Sequence, residues 1–337
     1  MPNKSKSFAF LVLCHNQEDY IIEHLESIKF LSLKYGNNID IDIIINDDSS
    51  NDGSPELIKT WLYKNRKVFR NIKTIFNTKR IGTCKSVINL LNNLKAQACK
   101  LTAADDVYSY ENIFKYSFLK HDIGMTSGLH IKLINGILTK NIFEIFSVYS
   151  SFFIYQNSIS HKFKLASHVN TPNLIYNIKF LNTSKIKKLL SQFELCEDWP
   201  IQISISENQP SIKFKLIDKV FVYYRRTSSS VYIQFKKKFL NDKIKIFKYL
   251  INKEKSKFLK IILINRLFFL KFYNFYIIKY LLNISYYIYI FSSLLVLKSI
   301  FKKLFSLNIP IKKHIKHYEK IKLSSIKWKK INYIDGF

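Results

Sequence analysis

The chain has 337 residues, 54 Lys and Arg against 24 Asp and Glu, a formal net charge of +30, and 47% hydrophobic residues. That length and apolar content support a buried core in one large domain or two smaller ones, and they exclude a disordered chain. The charge suggests a polyanionic partner such as nucleic acid or anionic lipid. Abundant Lys, Ile, Asn, Phe and Tyr beside 7 Gly, 6 Pro and 2 Met are equally what an AT-rich coding sequence yields.

Phe8 to Cys14 is a continuous apolar stretch, the form of a strand buried on both faces. It leads into the polar run His15-Asn16-Gln17-Glu18-Asp19 and is too short for the apolar region of a secretory signal. From Asp19 to about Lys34, Ile21, Ile22, Leu25, Ile28, Leu31 and Leu33 recur near helical spacing, with Glu23, Glu26 and Lys29 on the opposite, polar side. Ile41 to Ile45 is the next strand. It breaks at Asn46-Asp47-Asp48-Ser49-Ser50-Asn51-Asp52-Gly53-Ser54, and Pro55 then suits the first turn of a helix, where its missing N–H costs nothing. Ile72 to Phe76 reads as a third strand, Thr83 to Leu94 as a helix after the Gly82 turn, and Lys100 to Ala104 as a fourth strand closed by Asp105-Asp106. This alternation predicts an α/β fold with a mostly parallel sheet flanked by helices.

Beyond residue 110 the pattern loosens. Ile142 to Ile154 fits either a strand or a helix, Lys185 to Ile205 looks helical with Pro200 set to kink or end it, and Val220 to Tyr224 is a strand before Arg225-Arg226-Thr227-Ser228-Ser229-Ser230. From about Gln234 onward, 24 Lys and Arg face 4 acidic residues among bulky Ile, Leu, Phe and Tyr. This change of character divides the chain into an α/β domain over 1–233 and a basic helical module over 234–337.

The acidic motifs carry the chemistry. Carboxylates at the C-terminal ends of parallel strands lie where open α/β sheets bind ligands. One or two carboxylates on a turn, as at Asp105-Asp106, form an incomplete site of the kind that suits Mg²⁺ or Mn²⁺ shared with substrate phosphates. Asp47-Asp48 is also explained by Asx-turn formation and capping before Pro55. Glu197-Asp198 sits among apolar neighbours in Phe193-Glu194-Leu195-Cys196-Glu197-Asp198-Trp199-Pro200. Burial there would raise a carboxylate pKa and make a usable general base. Arg225 and Arg226 could close a guanidinium fork on phosphate oxygens, and Lys85 could face phosphate or solvent. Cys14, Cys84, Cys99 and Cys196 have no metal-binding spacing and read as reduced thiols, which points to a cytoplasmic setting.

Taken in order, these motifs resemble family 2 glycosyltransferases of the GT-A fold, in particular members from bacterial capsule, O-antigen and lipopolysaccharide synthesis. The likeness rests on Phe8 to Glu18, Asn46 to Ser54, Asn77 to Asn89, Ala104-Asp105-Asp106, Glu197 to Pro200 and the Tyr224-Arg225-Arg226 segment, and it covers about residues 7 to 233. It implies an inverting transfer of a sugar from a nucleotide-sugar, usually UDP-linked, to an acceptor hydroxyl of a glycan or lipid-linked glycan. It further implies that Asp48 contacts the base with His15, Asn16 and Asp47 nearby, and that Asp105 and Asp106 serve ribose and a divalent metal, Mn²⁺ or Mg²⁺. By the same likeness Asp198 is the catalytic base beside Glu197. Ala103 occupies the place of the first aspartate of the commoner Asp-X-Asp-Asp form, and Thr227 replaces a frequent histidine, which weakens any metal-ligand role for that loop.

Leu281 to Leu297 lacks formal charge but is short and polar for a spanning helix. Basic residues among Phe, Tyr, Ile and Leu fit helices lying on an anionic inner-membrane surface, with packing on the catalytic domain and a true span as the alternatives. His314 and His317 read as exposed polar residues without a third metal ligand. Two rival functions stand beside the transferase. A nucleic-acid binder would use the basic aromatic tail but not the ordered carboxylates, and no nucleic-acid partner is expected. A metal-dependent nucleotidyltransferase would want a Gly-rich or basic phosphate loop after the first strand, where His15 to Asp19 stands instead.

Overall fold

The computed structural model describes residues 5–120, 122–166, 169–209, 211–227, 231–271 and 281–334. Its first third is an alternation of β1 (Lys6–Cys14), α1 (Ile21–Tyr35), β2 (Ile39–Asp47), α2 (Ser54–Lys64), β3 (Asn71–Phe76), α3 (Thr83–Asn92) and β4 (Ala98–Ala103). Parallel pairing in the order β3-β2-β1-β4 places β1 and β2 inside the sheet. Their apolar runs are continuous because both faces are covered. Phe8, Phe10 and Val12 pack with Ile21, Leu25, Ile28, Leu57 and Trp61 of α1 and α2. Ala9 and Leu11 face the other way, toward Val87, Leu90 and Leu91 of α3.

The remaining strands extend the sheet. β5 (Val107–Tyr108), β6 (Ile123–Ile134), β7 (Ile137–Thr139), β8 (Leu174–Asn177) and β9 (Lys213–Arg226) complete the order β3-β2-β1-β4-β8-β6-β9-β5, with β7 hairpinned on β6. Parallel β9 against β6, and antiparallel β8 and β5, bring the end of β9 back beside the turn after β4. This mixed α/β sheet flanked by helices is the expected fold class. Ile142–Tyr155, ambiguous by pattern, is a helix (α4) capped by the Asn141 side chain. The Lys185–Ile205 segment is two helices, Ser184–Leu190 and Asp198–Asn208, and Pro200 falls in the first turn of the second.

Packing continues past residue 234. The helix Lys236–Lys253 buries Ile246, Phe247 and Leu250 in the same cluster as α3 and the Asp198–Asn208 helix, with Phe247 edge-on to Trp199 at 5.1 Å. The helix Ile311–Lys329 lies on α1, with Tyr318 and Ile321 packed against Val220 and Tyr223 of β9. His314 and His317, expected to be exposed, are buried in that contact. Tyr223 Oη meets His314 Nδ1 at 3.0 Å, and Tyr110 stacks on the His314 ring at 4.6 Å. Burial pushes the pKa of both histidines down to about 4.

Candidate active site

A cleft of about 570 Å³ opens at the C-terminal ends of β1 and β4 and is lined by His15, Asp48, Asp105, Asp106, Glu197, Asp198, Arg225 and Arg226. Asp48 and Asp105-Asp106 meet there because parallel strands end on the same edge of the sheet, and the start of the Asp198–Asn208 helix brings Glu197 and Asp198 to the same cavity.

At one end the loops after β1 and β2 are joined side by side. Asn16 N–H donates to Ser50 Oγ (2.8 Å), Asn51 N–H to Asn16 Oδ1 (2.8 Å), and Glu18 N–H to Asp52 (3.0 Å). Asp47 turns its carboxylate back onto Ser50, accepting from its N–H at 2.9 Å, so both Asp47 and Asn16 hold the loop rather than line the cleft. Asp48 accepts from Asn77 Nδ2 (2.9 Å), Ile81 N–H (2.8 Å) and Gly82 N–H (2.9 Å), fixing the segment after β3. Its backbone carbonyl accepts a hydrogen bond from His15 Nδ1 at 2.9 Å. Gly82, at φ +89°, has no room for a side chain: a Cβ there would stand 2.8 Å from the Glu194 carbonyl. Of the two settings open to Lys85, phosphate or solvent, the structure shows solvent. It is exposed on α3, while Thr83 and Ser86, on the neighbouring face, line the cleft.

Below the cleft floor the Asp105-Asp106 turn is held from three sides. Asp106 Oδ1 accepts from Arg225 N–H (2.9 Å), the Asp105 carbonyl from Arg225 Nε (2.7 Å), and the Asp106 carbonyl from His24 Nδ1 (2.7 Å). Burial, and next the charge of Asp105, push the Asp106 carboxyl well above the usual carboxylate range. Asp106 Oδ2 is buried without a hydrogen-bond partner. His24, also buried, is driven down to a pKa of about 4 by desolvation and stays neutral. Arg225 departs from the expected phosphate fork. Its guanidinium is paired with the buried Glu23 and stacked 4.3 Å from the Tyr20 ring, and Tyr318 Oη donates to the same Glu23 carboxylate at 3.3 Å. Glu23, expected on the polar face of α1, is buried because of this pair. Arg226 is half-exposed at the rim, 3.7 Å from Glu144. Ser228 to Ser230 lie outside the described residues.

Across the cleft, Glu197 and Asp198 begin the Asp198–Asn208 helix. Asp198 Oδ1 accepts from Thr171 N–H at 3.2 Å and from Thr171 Oγ1. Burial, and then the Asp198 carboxylate, hold the Glu197 carboxyl well above its usual range. Thr171, Arg80, Lys236 and Lys243 also line the cleft. Nothing in their sequence settings marked them, except that Arg80 falls within the Asn77–Asn89 motif.

For a divalent cation, the chemistry of the floor fits. Two adjacent carboxylates stand there, one with an orphaned buried oxygen, and no group of three His, Cys, Asp or Glu able to hold a metal occurs among the described residues. Such a site leaves coordination positions for substrate phosphates.

Residues 10–115 match the family model for Glycosyl transferase family 2. No curated protein matches the chain in sequence. Among solved structures, S. aureus TarS 1–349 is similar at a TM-score of 0.53 and 15% identity, over 95% of this chain and 91% of that one. The same protein in complex with UDP-GlcNAc gives 0.53 and 16%, over 95% and 92%. The mannosyltransferase PcManGT from Pyrobaculum calidifontis, in complex with GDP-Man and Mn²⁺, gives 0.53 and 12%, over 97% and 88%. Against a longer TarS chain the score is 0.52 at 16% identity, and this chain spans 44% of its length. At these identities the likeness is one of fold. The chain shares the GT-A-type fold of these structures, and its residues 10–115, which hold the first acidic motifs, are similar to Glycosyl transferase family 2.

Proposed function

We propose that the protein moves a sugar from a nucleotide-sugar to an acceptor hydroxyl with inversion, in the synthesis of a surface polysaccharide such as a capsule or O-antigen, or of a lipid-linked glycan. The observation that carries this reading is the placement of Asp105-Asp106 and Glu197-Asp198 in one cleft. In this scheme Asp198, oriented by Thr171, takes the proton of the acceptor hydroxyl as its oxygen attacks the anomeric carbon. The bond from that carbon to the diphosphate breaks on the opposite face, and the nucleoside diphosphate leaves.

Asp105 and Asp106 would hold a divalent cation, Mn²⁺ or Mg²⁺, which when bound neutralises charge on the diphosphate. Asp48 acts at the nucleotide end by fixing the Asn77–Gly82 segment, its carboxylate being engaged with three N–H groups there. A UDP-linked donor is the first to test.

The test is turnover of UDP-sugars with Mn²⁺ by wild type, Asp198→Asn and Asp106→Ala. Asp198→Asn should lower kcat by about 10²-fold or more with nucleotide affinity nearly unchanged. Asp106→Ala should remove the gain in UDP affinity that Mn²⁺ gives by calorimetry. Wild-type turnover in the first variant, or an undiminished Mn²⁺ effect in the second, removes that residue from its role. Release of pyrophosphate from a nucleoside triphosphate would favour a nucleotidyltransferase.

Membrane contact belongs to the same reading. No single helix among the described residues is long and apolar enough to cross a membrane, although the pair Ile284–Leu295 and Leu297–Ser306, bent by 67°, passes by length and composition. Phe291, Leu295, Phe301 and Phe305 are exposed there beside Lys298 and Lys302. Such a surface suits peripheral binding to an anionic bilayer on its cytoplasmic side. Equal sedimentation with anionic and neutral vesicles at low salt would rule it out.

A further inference from the structure

Asp242 lies in the second turn of the Lys236–Lys253 helix and is 2% exposed. One of its carboxylate oxygens, Oδ2, accepts the N–H of Glu194 (2.9 Å), Leu195 (2.7 Å) and Cys196 (3.1 Å). Three successive amides aimed at one oxygen fix the local backbone, and a charged acceptor makes each bond stronger than a neutral one would. The segment so fixed runs directly into Glu197 and Asp198. A second hold comes from α3, where Cys84 N–H donates to the Glu194 carbonyl at 3.0 Å. The Lys238–Glu194 ion pair at 2.5 Å is half-exposed on both sides and adds little.

We propose that Asp242 is a positioning residue for sugar transfer: from outside the strand-and-helix domain, it sets the place of Asp198 in the cleft by clamping the amides of Glu194 to Cys196. The proposal rests on Asp198 as the base. A base must come within hydrogen-bond reach of the acceptor proton, and a misplacement of about 1 Å can cost about 10²-fold in rate. Asp242 does not line the cleft, and its side-chain hydrogen bonds among the described residues are these three to backbone amides, so its effect should appear in turnover rather than in nucleotide binding.

A double-mutant cycle on the full chain tests this, with kcat for transfer and calorimetric UDP affinity measured for wild type, Asp242→Ala, Asp198→Asn and the double variant. Asp242→Ala should lower kcat by about 10- to 100-fold with UDP affinity held within about twofold, and the double variant should be no slower than Asp198→Asn alone. Losses that multiply, or a loss of UDP affinity as large as the loss of turnover, overturn the positioning role while leaving the base assignment intact. Wild-type turnover in Asp198→Asn overturns the base assignment, and the positioning role with it. Should Asp242→Ala fail to fold, Asp242→Asn keeps the volume and one acceptor oxygen without the charge. It should show a smaller, several-fold loss of kcat with the same non-additivity.

Discussion

The first 115 residues and the helices after residue 234 were built by different rules. In the former, chemistry follows chain order: each carboxylate motif closes a strand, and parallel strands deliver their ends to one edge. In the latter, no motif is visible beneath the lysines, yet Asp242 braces the Glu197-Asp198 loop and Tyr318 braces the Glu23–Arg225 pair behind Asp105-Asp106. Residues that display a site can be read from pattern, whereas those that hold it still are scattered, because a brace needs only to arrive in space.

If the two regions are one folding unit, Phe247→Ala should have the largest effect. Loss of a buried ring beside Trp199 should cost about 3–5 kcal/mol, with tryptophan fluorescence and far-UV circular dichroism still unfolding in one coincident urea transition. Two separated transitions would instead make the C-terminal helices an independent module.

The next effect belongs to the N-terminal half. His24 is buried and neutral, with a pKa lowered to about 4 from an ordinary 6.5. The unfolded chain therefore binds more protons between those values. The stabilisation from His24 is complete above about pH 6.5 and is lost as pH falls toward 4, by roughly 3 kcal/mol. The difference in urea stability between wild type and His24→Asn should shrink over that window, and a pH-independent difference would contradict the assignment.

The smallest effect should come from Tyr318→Phe, which removes one hydroxyl from Glu23. A loss of about 0.5–1.5 kcal/mol is expected, together with a modest rise in the Mn²⁺ concentration needed for half-maximal turnover. If the metal dependence is unmoved, the Ile311–Lys329 helix supports the fold without tuning the floor of the cleft.

Much of the sheet was legible because burial on both faces writes an uninterrupted apolar run, as in Phe8 to Cys14 and Ile41 to Ile45. The cleft was legible where side chains follow strand ends, as at Asp48, Asp105 and Asp106. Lys85 stayed open between phosphate and solvent because one helical position separates the cleft face from solvent, and spacing alone does not fix the rotation of a helix. Arg225 was assigned to phosphate because a guanidinium after a strand suits it, but Glu23, 202 residues away, claims it in a buried pair. His314 and His317 were read as exposed polar residues for want of a third metal ligand, and they are buried because their helix packs on α1 and β9.

The sequence by itself determined the elements of the N-terminal sheet and the order of its acidic motifs, since periodicity and turn chemistry are local. Only the tertiary structure decided which carboxylates face the cleft, which are spent on backbone amides, and that Glu197 is buried and raised well above its usual range. Those outcomes depend on burial and on partners distant in the chain, and neither is encoded in the spacing of neighbouring residues.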